Sequence, residues 1–155
     1  MKWIATILIL LSTTAAFSRQ APDFDMESRD GVSYSLDSLH TPLTLLYLTN
    51  IDCDICEEAS DSIATSTIIN NAIADGQLTV LSVYIGNDRK GWLRRKPHPQ
   101  WEECINPSMS VYESDSYDFT YLPAFYLIDI RHEIIDSPQS VKAMEDAITE
   151  YTPHK

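Results

Sequence analysis

Two kinds of apolar spacing alternate along this chain. Leu43-Thr44-Leu45-Leu46-Tyr47-Leu48 is apolar at every position but Thr44, which is how a strand buried on both faces reads. From Cys53 the period changes. Ile55, Ala59, Ile63, Ala64 and Ile68 recur at helical intervals up to the polar Asn70-Asn71, so the spacing predicts a helix directly after the strand. Leu78 to Ile85 reads as a second buried strand behind an Asp75-Gly76 turn, and Asp88 to Arg95 as a helix halted before Pro97 and Pro99. The pattern fades between Trp101 and Phe119, where a strand near Glu103 to Asn106 and a short helix near Val111 to Asp118 are expected. It returns after Pro123. Ala124 to Asp129 and Glu133 to Asp136 form two strands around the turn Ile130 to His132. Ser137-Pro138 then starts a helix whose apolar face is Val141, Met144, Ile148 and Tyr151. Near the start, Phe24, Met26, Val32, Tyr34 and Leu36 alternate around Asp30-Gly31, predicting a short β-hairpin that extends the domain without entering its core. The order β-α-β-α-β-β-α implies an α/β fold, a central mixed sheet with helices on both faces.

Length and charge narrow the picture. The chain has 155 residues, 44% of them hydrophobic and 22% charged, with no internal repeat. That suits one ordinary domain with one core. Eleven Lys and Arg against 23 Asp and Glu give a net charge of −12, a surface that repels phosphate backbones and anionic headgroups, so nucleic acid is not an expected partner. The basic cluster Arg89-Lys90 and Arg94-Arg95-Lys96 reads as a solvated helix face. At the start, Lys2, the apolar Trp3 to Leu11 and the small, polar Ser12 to Ser18 form an export signal over residues 1–18, leaving a domain over 19–155. The apolar run is shorter than the roughly 20 residues of a membrane helix. An exported monomer is expected, in the periplasm or cell envelope, with no stable membrane span after cleavage.

Of the three cysteines, Cys53 and Cys56 are separated by Asp54-Ile55 at the junction of the first buried strand and its helix. Free N–H groups at a helix start stabilise a thiolate, which makes Cys53 the candidate nucleophile and Cys56, a turn further in, the resolving thiol. Asp52 and Asp54 modulate the pair, because their charge opposes that of a thiolate. Glu57 and Glu58 read as partners of the helix dipole. Two other readings use the same residues. The pair could be a structural disulfide, although its loop is too short to add much stability. With Cys104 and His98 it could make a zinc set, but six residues separate that second pair where structural sites keep it close. No metal and no cofactor are expected. Cys104 reads as a small core residue, and Trp92 and Trp101 as packing.

These residues resemble the thioredoxin-like thiol-disulfide proteins of bacterial envelopes, the TlpA/ResA-like and alkyl-hydroperoxide-reductase-related group. The likeness covers about Ala21 to Tyr151. It rests on Ala21-Pro22-Asp23-Phe24, on Leu45 to Cys56, and on Tyr121-Leu122-Pro123-Ala124-Phe125-Tyr126-Leu127-Ile128-Asp129, which is similar to the family's Pro-Thr-x-x-Leu-Ile-Asp stretch. The resemblance implies a three-layer thioredoxin-like fold and a cis peptide at Leu122-Pro123. It also implies that the backbone before that proline pairs with a bound substrate chain. The implied function is reduction or exchange of disulfides in exported proteins, with protein disulfide clients and a thiol-disulfide electron donor as partners. The alternative is a binding module of the same fold with an inert disulfide. Departures are evident too. Asp52 stands where the family has an aromatic residue, Asp54-Ile55 lacks the usual proline, and Ala59 sits where several members carry Glu. A proton-relaying carboxylate is therefore missing from its customary place, with Asp52 and Glu58 the acids close enough in sequence to substitute.

Overall fold

The apolar run at Leu43 becomes the centre of the sheet. The structure, a computed structural model, describes residues 19–152; the expected export signal over residues 1–18 lies outside the described residues. The strands are β1 (Arg19–Gln20), β2 (Met26–Ser28), β3 (Ser33–Tyr34), β4 (Leu43–Thr49), β5 (Leu78–Tyr84), β6 (Glu102–Ile105), β7 (Ala124–Asp129) and β8 (Glu133–Asp136). The helices are α1 (Asp54–Thr65), α2 (Thr67–Ala74), α3 (Arg89–Arg94) and α4 (Val141–Tyr151), with 3-10 turns at Leu36–Ser38 and Ser110–Glu113. All eight strands join one sheet in the order β1-β8-β7-β4-β5-β6-β2-β3. β4 and β5 are parallel, as are β5 and β6, while β7 is antiparallel to β4 and to β8.

Because β4 is covered on both faces, alternate residues enter different cores. Leu43, Leu45 and Tyr47 pack with Ile63 of α1, Ile69 of α2, and Met144 and Ile148 of α4. Leu46 and Leu48 pack on the other face, against Leu36 and Val111 of the 3-10 turns. Thus α-helices cover one face and the 3-10 turns with their flanking segments the other. Each fully buried Leu here stabilises the fold by about 1.5–3 kcal/mol.

Four expectations change in detail. The helix after Cys53 is not continuous: Ser66 interrupts it with extended backbone and caps α2 by accepting from the Ile69 N–H at 3.2 Å. A serine whose oxygen can cap the next turn competes with helix continuation. The last helix begins at Val141, not at Pro138, because Ser140 supplies the cap, accepting from the Ala143 N–H at 3.2 Å. The helix expected over Val111 to Asp118 shrinks to the 3-10 turn at Ser110–Glu113. There the buried Asn106 holds the chain, donating from Nδ2 to the Asp25 carbonyl at 2.5 Å and accepting from the Val111 N–H at 3.1 Å. Finally, the N-terminal hairpin forms but belongs to the core. β2 pairs with β6, matching Glu27 to Ile105 and Ser28 to Cys104, while Phe24, Met26 and Leu36 are buried. An unpaired β6 edge would expose backbone donors, and the hairpin covers them.

Candidate redox site

β4 ends at the loop that leads to the cysteine pair. Asn50 to Asp52 lead from its last residue, Thr49, to Cys53, which caps α1 from extended backbone, φ −131° and ψ 100°. No carboxylate caps this helix through a described hydrogen bond. Instead the Cys56 N–H donates to Cys53 Sγ at 3.2 Å. A sulfur in that position faces the positive end of the helix and its free N–H groups. Cys53 and Cys56 form a disulfide with Cα atoms 5.2 Å apart. The two are unequally reached by solvent: Cys53 is half-buried, Cys56 only 2% exposed.

The acids around the pair point outward. Asp52, Asp54, Glu57 and Glu58 are all exposed, and Arg95 lies 3.5 Å from Glu57, an exposed ion pair of small energetic weight. Asp52 and Glu58, the acids near enough in sequence to stand in for the family's relay, are both exposed, so neither is a buried carboxylate. Ala59 instead packs partly buried against the α-helical core.

The Leu122-Pro123 peptide is cis. The antiparallel register matches Leu48 with Ala124, which sets Pro123 beside the end of β4, where the loop to Cys53 departs. Leu122 and Pro123 are half-buried, with Leu122 packed on the core beneath. Tyr121 before them is 83% exposed and Ile55 between the cysteines 66% exposed, so apolar surface is open on both segments.

Three residues at this site escape a reading of spacing. Tyr47, read as a strand residue, sends its hydroxyl to the Cys56 carbonyl at 2.5 Å. Burial, partly offset by Thr49 and Arg95, raises its phenol above the ordinary value. A tyrosine within an apolar run is the available signal, since its O–H needs a partner when buried. Arg29, from the hairpin, donates to the Leu93 and Arg95 carbonyls at 2.9 and 2.7 Å and to Glu103 at 3.0 Å, its guanidinium 4.9 Å from the Trp92 ring centre. Trp101 stacks on His98 at 4.1 Å. Together these residues wall a cleft of about 510 Å³ that also touches Cys56. The segment carrying Arg95 and Lys96 is thus one wall of a cleft as well as a solvated helix end.

The structure does not gather Cys104 and His98 with the pair: among the described residues no three or more His, Cys, Asp or Glu side chains are grouped to hold a metal ion. Cys104 is a buried free thiol in β6. Burial first, then the Glu102 and Glu103 carboxylates, push it up from 9.0 to about 12. Folding therefore favours the protonated thiol. Its contribution to stability is complete below pH 9.0 and is lost as pH climbs toward about 12. Iodoacetamide at pH 8 should leave Cys104 unmodified in the native protein and label it once urea unfolds the chain. Labelling at equal rates in both states would contradict that placement.

The same arrangement of elements occurs in solved structures. A thioredoxin-like protein from Bacteroides caccae matches with TM-score 0.78 and 24% identity over 86% of this chain and 49% of the other, so this chain spans about half its length. The C-terminal domain of an uncharacterized protein from Bacteroides fragilis matches with TM-score 0.79 and 23% identity, covering 85% and 96% of the two chains. The thioredoxin domain of a thiol-disulfide oxidoreductase from Bacteroides vulgatus matches with TM-score 0.75 and 16% identity, covering 88% and 97%. The fold is thioredoxin-like, as the resemblance implied. No protein-family model matches the sequence, and no curated protein does. No helix among the described residues is long and apolar enough to cross a membrane.

Proposed function

We propose that this protein is an exported thiol-disulfide oxidoreductase, a monomer of the periplasm or cell envelope whose Cys53–Cys56 pair reduces or exchanges disulfides in other exported proteins. One observation carries the reading: a half-buried Cys53 caps α1 while its partner Cys56 is buried one turn inside, at the end of β4 to which the strand register also brings Pro123. In the reduced state the Cys53 thiolate attacks one sulfur of a client disulfide, and the other client sulfur leaves as a thiolate. Cys56, losing its proton to solvent, then attacks Cys53 Sγ and expels the second client thiolate. The client ends reduced and the pair oxidised. A thiol-disulfide donor restores the dithiol by the same exchange in reverse. The client chain lies along the backbone before Pro123, with no N–H on that residue to crowd the sulfur.

The redox potential of the Cys53–Cys56 couple tests this. Equilibration with glutathione buffers should return a value between about −270 and −120 mV, the range of exchanging pairs. A value below about −300 mV would instead indicate a structural disulfide and the binding-module alternative. Asp52 and Asp54 oppose the thiolate, so the double variant Asp52→Asn, Asp54→Asn should stabilise the reduced form and make the couple more oxidising. Both side chains are exposed, so the change should shrink as salt is added. A more reducing couple in the variant would reverse the role assigned to these acids.

A further inference from the structure

We infer that Tyr47 is a positioning residue for the resolving step, holding Cys56 where it can attack Cys53. The inference rests on the oxidoreductase reading above. Tyr47 is 1% exposed, its ring stacked on Phe125 with centres 5.2 Å apart and edge-on to Trp101 at 6.3 Å. The ring cannot shift without disturbing the core. Its hydroxyl donates to the Cys56 carbonyl at 2.5 Å and accepts from Thr49 Oγ1 at 3.2 Å. Thr49 closes β4 and Cys56 stands in the first turn of α1, so one hydroxyl ties the end of the strand to the start of the helix.

First turns fray unless they are held. Here the hold acts at Cys56 and not at Cys53, whose sulfur takes its hydrogen bond from the helix itself. The cysteine that meets a client needs exposure and a stabilised thiolate, and the client can adjust to it. The one that resolves the mixed disulfide must reach a single sulfur from a buried position, and an error of about 1 Å in such an approach costs on the order of a hundredfold in rate. Tyr47, Thr49 and Cys56 all border the 510 Å³ cleft, which gives the proton leaving Cys56 a path to water.

The hydroxyl can be removed without the ring. Reduced protein is mixed with dithiobis-nitrobenzoate, whose thiolate product absorbs visible light. Cys53 attacks one probe sulfur, forms a Cys53–aryl disulfide and releases the first thiolate. Cys56 then gives up its proton, attacks Cys53 Sγ, breaks that bond and releases the second, leaving the dithiol oxidised and the probe reduced. Tyr47→Phe should slow the second release roughly threefold to tenfold, as expected for one lost hydrogen bond, and leave the first within about twofold. A purely structural tyrosine would move both phases together or neither, and either result overturns the inference. Cys56→Ser identifies the first phase. Absence of a second release from the unaltered protein would sink the oxidoreductase reading itself and this inference with it. Should Tyr47→Phe melt below the assay temperature, Thr49→Val carries the test, since it removes only the bond that orients the hydroxyl. A second phase slowed at least about threefold while the first stays within about twofold upholds the inference, and a second phase that also stays within about twofold overturns it.

Discussion

Cys56→Ser should hold client proteins as mixed disulfides, and Cys53→Ser should hold almost none. The asymmetry follows from where α1 begins. Cys53 is half-buried at the cap, where the helix N–H groups favour its thiolate, whereas Cys56 is 2% exposed. A buried sulfur meets a client only after local opening that costs a few kcal/mol, which lowers its attack on the order of a hundredfold. Without Cys56 nothing resolves the bond that Cys53 makes, so the intermediate accumulates. Non-reducing gels of both variants, incubated with exported proteins and quenched with acid, give the comparison. Equal trapping, or equal alkylation of the two reduced cysteines, would remove the assignment of Cys53 as nucleophile even with the fold intact. No trapping by either variant would favour an inert disulfide.

Much of the fold was legible because burial on both faces leaves a distinct mark. Leu43 to Leu48 and Leu78 to Ile85 carry no polar face, and they form adjacent parallel strands in the structure. Ala124 to Asp129 and Glu133 to Asp136 are observed at those limits. What periodicity missed was decided by single polar side chains. Ser66 and Ser140 cap helices, and Asn106 organises the segment after β6. Each acts through one or two hydrogen bonds to backbone, which an average over apolar positions does not register. β1 is two residues long and pairs with β8 across more than a hundred positions of sequence, a pairing that local pattern cannot contain.

The site divides in the same way. Cys53, Cys56 and the Leu122-Pro123 peptide stood out because their chemistry is tied to a local motif, and the β4–β7 register brings the two segments to one end of the sheet. Asp52 and Glu58 looked plausible as relays because sequence proximity stood in for direction; both face solvent. Tyr47 was hidden for the opposite reason. Nine positions before Cys56 and within a strand, it meets the turn that carries the cysteine pair only because α1 folds back over β4. Arg29 was hidden by the assumption that the hairpin is peripheral, although it is what fastens the wall of the cleft.

That assumption can be tested on stability directly. If the hairpin belongs to the core, Met26→Ala should lower the free energy of unfolding by about 2–5 kcal/mol, the usual cost of emptying a buried methionine site. Met26 is 1% exposed and packs with Leu81, Val83 and Cys104, so little solvent can enter to fill the space. Val32, in the same hairpin but 63% exposed, is the internal control. Val32→Ala should change stability by no more than about 0.5 kcal/mol. Urea unfolding distinguishes the cases: the Met26→Ala midpoint should fall well below that of the unaltered protein at nearly unchanged slope, because the same surface is exposed on unfolding. A true extension would respond alike at both positions, and weakly. Equal, small midpoint shifts for Met26→Ala and Val32→Ala would return the hairpin to the periphery. They would also loosen the link by which Arg29 braces the cleft beside Cys56.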